Sequence, residues 1–145
     1  MLSLIHLESV VSASDLVSRL NPTFDRINAA DGLSQTSVNV ISQDSMGLIW
    51  IGTTEGLNRY DGEQFETFFN VPNDESSISH DYVSAIIEDG QGDIWVGTDN
   101  GLNVFDRAKS TFRLVGLASE EFAVDAADSS IRSLFIDKEG ILWIG

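Results

Sequence analysis

Three stretches of the chain copy one another, and this limits its fold more than any other feature. They run from Asp44 to Thr53, from Asp89 to Thr98 and from Asp137 to Gly145, and each reads D-x-x-G-x-(I/L)-W-(I/V)-G. The tryptophans Trp50, Trp95 and Trp143 stand 45 and 48 residues apart. The likeness spreads to both sides. Gly56-Leu57-Asn58 follows the first copy and Gly101-Leu102-Asn103 the second, each leading to an aromatic residue and an aspartate, Tyr60-Asp61 and Phe105-Asp106. An aromatic stretch comes next, Phe65 to Phe69 and Phe112 to Val115. Val38, Val83 and Ile131 each stand six residues ahead of the motif aspartate. A period of this length marks a repeat architecture whose units bury their apolar faces against one another.

Each unit divides into four short strands separated by turn residues. In the first they fall at about Val38–Ser42, Leu48–Thr53, Leu57–Tyr60 and Phe65–Phe69. Asp44 to Gly47 closes the first turn: aspartate bonds its own backbone and glycine supplies a positive φ. Asp61-Gly62 is a hairpin signal between the third and fourth strands. The Trp strand is apolar on both faces, which suits a sheet sandwiched between two others. Its tryptophan would supply contact area between sheets, and its glycine would permit close approach. Four strands in this span match a propeller blade rather than a helical repeat.

The expectation is therefore an all-β chain of β-propeller blades, each of four antiparallel strands, forming an incomplete ring. Blades are expected at 38–69 and 83–115, with a partial one at 131–145. Phe24 to Ile27 resembles a fourth strand, so an outer strand is expected at 24–28 that completes a blade elsewhere in the ring. Residues 1–23 are set apart as a leader. Met1 to Ala13 reads equally as a signal remnant cleaved after Ala13, as an amphipathic helix or as a misplaced start. Ser119–Ala127 is the one further stretch with a helical period. Two blades and a part leave apolar faces open, which predicts either self-association or the remaining blades of a longer chain.

Composition excludes several functions. The formal net charge is -15, from 8 basic and 23 acidic residues, so nucleic acid, which demands clustered cations, is not an expected partner. There is no cysteine, which removes disulfides, thiolate metal sites and thiol nucleophiles. No apolar run reaches the length of a membrane-spanning helix.

Candidate chemistry reads mostly as architecture. Asp44, Asp89 and Asp137 recur one per blade, too far apart for a catalytic pair, and are expected to form turns. Trp50, Trp95 and Trp143 are expected in the core between blades rather than as sugar-stacking platforms. Asn58 and Asn103 are expected to make structural hydrogen bonds. His6 and His80 lack the spacing of a zinc site. Asp89 with Gly92 and Asp93, or Asn73-Asp74-Glu75, miss the spacing of a calcium loop. No catalytic, cofactor-binding or metal residue is assigned, and no cofactor is expected.

The pattern G-x-(I/L)-W-(I/V)-G-T-x-x-G-L-N-x-(Y/F)-D, with the linker Asn70 to Ser79, resembles the two-component regulator propeller repeat. The resemblance covers residues 24–145. It implies a periplasmic sensory segment of a bacterial two-component histidine kinase or diguanylate cyclase, without enzymatic activity of its own. It also implies a carbohydrate or other small ligand as partner, with no membrane insertion in this segment. The loops Asn70–Ser79 and Gly116–Ser130 are the expected places of ligand capture. Two other readings stay open: a propeller lyase or hydrolase, which the scarcity of histidine disfavours, and a structural interaction module with no small ligand.

Overall fold

A computed structural model describes residues 26–116 and 130–145. Met1–Ala13, Ser119–Ala127 and the start of the expected outer strand, residues 24 and 25, lie outside the described residues. Residues 26–28 carry no strand assignment and lead into a short 3-10 turn at Ala29–Asp31.

Ten strands follow. They are β1 (Val38–Gln43), β2 (Ile49–Thr53), β3 (Gly56–Tyr60), β4 (Phe65–Phe68), β5 (Val83–Glu88), β6 (Ile94–Thr98), β7 (Gly101–Asp106), β8 (Thr111–Val115), β9 (Leu134–Ile136) and β10 (Leu142–Ile144). They form two four-stranded antiparallel sheets in sequence order, β1 to β4 and β5 to β8, and a two-stranded sheet of β9 and β10. The strand limits lie within a residue or so of those expected. The two complete sheets share their register. Trp50 stands opposite Arg59, as Trp95 stands opposite Val104, and both first strands carry an irregularity, at Val38/Val40 and Val83/Ala85. The same sequence cues thus produce the same kinks.

The sheets stack face to face. Trp50, Leu57, Val40 and Phe68 of the first sheet pack against Val83, Ile86, Ile94, Val96, Phe105 and Phe112 of the second. Trp50 lies edge-on to Phe105 with centroids 5.0 Å apart and is stacked with Phe68 at 6.1 Å. Such aromatic pairs contribute about 0.5–1.5 kcal/mol beyond the area they bury. The guanidinium of Arg59 lies 5.6 Å from the Trp50 ring and 5.5 Å from that of Phe105.

The motif glycine has a sharper role than general closeness of backbones. A Cβ on Gly52 would stand 2.5 Å from Val83 Cγ1, and a Cβ on Gly97 would stand 2.6 Å from Ile131 Cγ2. In both cases the next unit's first apolar residue fills the space the missing side chain leaves. A hydrogen bond marks the same junction: Asn39 donates to the Val83 carbonyl at 2.9 Å, and Ser84 donates to the Ile131 carbonyl.

Candidate functional site

The recurring polar residues gather into two devices, repeated from unit to unit. The first is built on the motif aspartate. Asp44 Oδ1 accepts from the Met46 and Leu48 amides at 3.0 and 2.9 Å, and its Oδ2 accepts from Trp50 Nε1 at 2.9 Å. Asp89 does the same with Gln91, Asp93 and Trp95, and Asp137 with Glu139, Ile141 and Trp143. Gly47, Gly92 and Gly140 hold φ between 81° and 88°, conformations in which a side chain would be strained. One carboxylate therefore shapes the turn and also satisfies the indole N–H of the tryptophan six residues on. The turn role agrees with the sequence reading. The indole role was readable as well, since a buried tryptophan needs an acceptor and the interval from aspartate to tryptophan never varies.

The aspartate of the first sheet is gripped from the second. Arg107, on the hairpin between β7 and β8, donates to Asp44 Oδ2 at 2.9 Å, to Glu88 Oε1 at 2.9 Å and to the Gly92 carbonyl at 2.9 Å. Glu88 in turn accepts from the Ser45 amide and hydroxyl. The side chain of Asp44 is wholly buried in this pair. Removing Arg107 would strand that charge, which makes breaking such a pair costly.

The second device clasps the incoming linker. Asn58 accepts from the Ser34 amide at 2.8 Å and donates to Ser34 Oγ and the Ile51 carbonyl. Asn103 does the same with Ser79 and Val96. Thr53 and Thr98 complete each cluster, sharing a hydrogen bond with the serine and donating to the Gly56 and Gly101 carbonyls. Both asparagines are fully buried. The structural role expected for them is what these contacts show. Asn58→Ala should cost about 2 kcal/mol, because it takes the acceptor from the half-buried Ser34 amide and a donor from Ser34 Oγ at a fully buried position. Equilibrium urea unfolding checks the value.

The clasp aspartates carry a pH dependence. Burial pushes Asp44 and Asp89 up, but the indole hydrogen bonds and turn amides outweigh it, helped at Asp44 by Arg107, so both titrate below the ordinary 3.8. Asp137 is held down first by its bond from Trp143. A carboxyl that is harder to protonate when folded stabilises the fold above its unfolded value and ceases to do so as the pH falls through the lowered folded value. The Tm is therefore expected to stay nearly flat from about pH 7 to 5 and to fall below about pH 4. A fall concentrated between pH 7 and 5, followed by differential scanning calorimetry, would contradict this.

The remaining candidates are spread out. His80 Nδ1 accepts from the Tyr82 amide at 3.0 Å and so serves a local turn; His6 lies outside the described residues. Asp74 accepts from the amide and hydroxyl of Ser76, and Asn73 adopts φ 66°. Among the described residues no three His, Cys, Asp or Glu side chains are placed to hold a metal. The linker Asn70–Ser79 is anchored at both ends: Asn70 donates to the Ile78 carbonyl at 2.8 Å, and the Ser76 carbonyl accepts from the Phe112 amide at 2.8 Å. With Asn100, Arg113 and Leu114 it lines a groove of about 570 Å³. Most of the second expected loop, Gly116–Ser130, lies outside the described residues.

Stacked four-stranded antiparallel sheets, each with the same Trp–Asp hydrogen bond at its first turn, define the class of the protein as a β-propeller repeat chain. The model of the two component regulator propeller family matches it at residues 32–55, 77–100 and 126–145. Over 58 residues, 40% of this chain, it is 47% identical to a histidine kinase of Formosa agariphila, of which it spans 4%. Its fold matches the extracellular domain of a hybrid two component system of B. thetaiotaomicron, with a TM-score of 0.71 and 26% identity, over 83% of this chain and 17% of that one. A second such extracellular domain from the same organism matches at a TM-score of 0.68 and 23% identity, over 86% of this chain and 17% of that one. Virginiamycin B lyase of Staphylococcus aureus shares the fold at a TM-score of 0.53 and 17% identity, over 78% of this chain and 35% of the lyase. No helix among the described residues is long and apolar enough to cross a membrane.

Proposed function

We propose that this chain is a non-enzymatic, periplasmic recognition segment of a two-component sensor, and that it takes a small polar ligand of carbohydrate type. The family match and the likeness to extracellular domains of hybrid two component systems support the sensor reading. The observation that carries the recognition reading is how the repeated polar residues are used. Motif Asp, Trp, Asn and Thr are bonded to one another or to backbone. What remains for a ligand is the part that differs between units. The groove under the 70–79 linker combines apolar patches at Val71, Pro72 and Leu114 with amides, hydroxyls, the carboxylates of Asp74 and Glu75 and the exposed Arg113, a mixture that suits the apolar and hydroxyl-bearing faces of a sugar. Capture there would bias how one blade sits on the next, since the same linker ends in Ile78, buried between them.

The test is isothermal titration calorimetry against a panel of neutral and acidic oligosaccharides. A member of the panel should bind the chain, and Arg113→Ala should weaken that binding about tenfold or more without changing the Tm. Failure of the whole panel, or equal binding by the variant, would count against the groove.

A further inference from the structure

The second residue after each motif aspartate stands at the tip of its turn. In the second and third units this place holds Gln91 and Glu139; in the first it holds Met46. All three amides bond the aspartate of their own turn in the same way. All three residues are exposed, Met46 at 70%. Gln91 is exposed although its unit has a neighbour on each side, so the exposure belongs to the tip itself. Met46 nevertheless has a partner across the junction. Its Sδ lies 3.4 Å from Nη1 of Arg107. That guanidinium belongs to the second unit and holds the two units together. It donates through Nε to the Gly92 carbonyl, through Nη2 to Glu88 and through Nη1 to the buried Asp44, each at 2.9 Å. The other hydrogen of Nη1 is left for the thioether, which is a weak acceptor.

We propose that Met46 is an oxidation site, and that its sulfoxide fastens the first unit more firmly to the second. The oxidant is a hydroperoxide, in the simplest case hydrogen peroxide. The sulfur attacks one peroxide oxygen; an S–O bond forms as the O–O bond breaks. Sulfur is oxidised by an electron pair and the peroxide is reduced. The proton of the transferred oxygen passes to the departing hydroxide, which leaves as water. The product is a polar side chain in place of an apolar one. Methionine is unbranched and flexible, so the new oxygen can turn onto Arg107. A hydrogen bond from a guanidinium to that oxygen is charge-assisted and stronger than one to a thioether. Asp44 keeps its own bond, because it uses the other Nη1 hydrogen. Oxidation thus gives the first tip the side-chain oxygen that Gln91 and Glu139 carry by sequence. Met46 does not line the groove under the 70–79 linker, so the proposal stands whether or not that groove takes a sugar.

The test treats the folded 145-residue chain with dilute hydrogen peroxide, with free methionine in the same tube as a reactivity standard. Peptide mass mapping should find one added oxygen on Met46 by the time half of the free methionine has reacted. The Tm of the oxidised chain should rise by about 2–4 °C, and methionine sulfoxide reductases should return it to its starting value. Two variants assign the effect. Met46→Leu cannot take the oxygen, and peroxide should leave its Tm unchanged; this also sets aside Met1, the other methionine. Met46→Gln carries an amide oxygen in the same place and should have the raised Tm without peroxide. Met46 that stays unoxidised while free methionine reacts overturns the proposal. So does an oxidised chain whose Tm is unchanged or lower, a rise that Met46→Leu shows equally, or a Met46→Gln variant no more stable than Met46→Leu.

Discussion

Replacing Trp50 by alanine is expected to remove about 3–5 kcal/mol of folding free energy, whereas the same change at Trp143 should cost less than about 1 kcal/mol. The two residues occupy the same place in the motif, and each donates its indole N–H to the aspartate of its own unit, Asp44 or Asp137. They differ in what covers them. Trp50 has no exposed surface and touches Phe68 and Phe105, so truncation opens a cavity across two sheets and leaves the buried carboxylate of Asp44 without one of its donors. Trp143 is more than half exposed, and its truncation removes little from the core. Urea unfolding followed by far-ultraviolet circular dichroism gives both values. Equal losses at the two positions would show that the tryptophan acts within its own sheet rather than between sheets.

The second large effect is expected at Gly52. Alanine there should cost about 1–3 kcal/mol, and valine the upper end of that range or more, through overpacking. The strain is not conformational, for Gly52 has no positive φ. It comes from the added Cβ meeting Val83 at 2.5 Å and Val40 at 2.6 Å. Gly90 is the control: nothing lies within 4 Å of the Cβ it would carry, and its φ is not positive either. Gly90→Ala should change stability by no more than about 0.5 kcal/mol.

Much of this was readable from the residues, for a physical reason. Turn geometry and strand pairing are local. Asp44, Gly47 and Trp50 lie close together in the chain, so their relation repeats with each unit and shows as a pattern. The structural role of Asn58 and Asn103 was readable for the same reason, as both stand at a fixed interval from their tryptophans. What one unit does to the next was much harder to see. Gln43, Glu88 and Ile136 occupy one position in three units. Gln43 donates to the Gly47 carbonyl of its own turn, Glu88 binds Ser45 and Arg107 across the interface, and Ile136 pairs with Leu142 in its sheet. No period predicts such divergence, because the partner belongs to another unit. The grip of Arg107 on Asp44 spans 63 residues and, among the described residues, is made at one junction, so nothing repeated announces it. The tryptophans were expected to be alike in their burial; the structure grades them from Trp50 through Trp95 to Trp143 according to what stands over each. The groove was hard to see for a related reason: its walls come from a linker, a hairpin residue and β8, distant in the chain and brought together by the linker's hydrogen bonds to Phe112 and Asn103 of the second sheet.

The measurement that bears most directly on the stacking of one sheet upon the next is a double-mutant cycle at Gly52 and Val83. Urea unfolding of Gly52→Ala, Val83→Ala and the double variant gives a coupling energy between residues of neighbouring blades. Removing the Val83 methyls should make room for the Cβ at position 52, so the double variant should be more stable than the sum of the single losses implies, by about 1 kcal/mol or more. Losses that simply add, to within about 0.5 kcal/mol, would mean that the two residues do not meet and that the blades are not packed in this way.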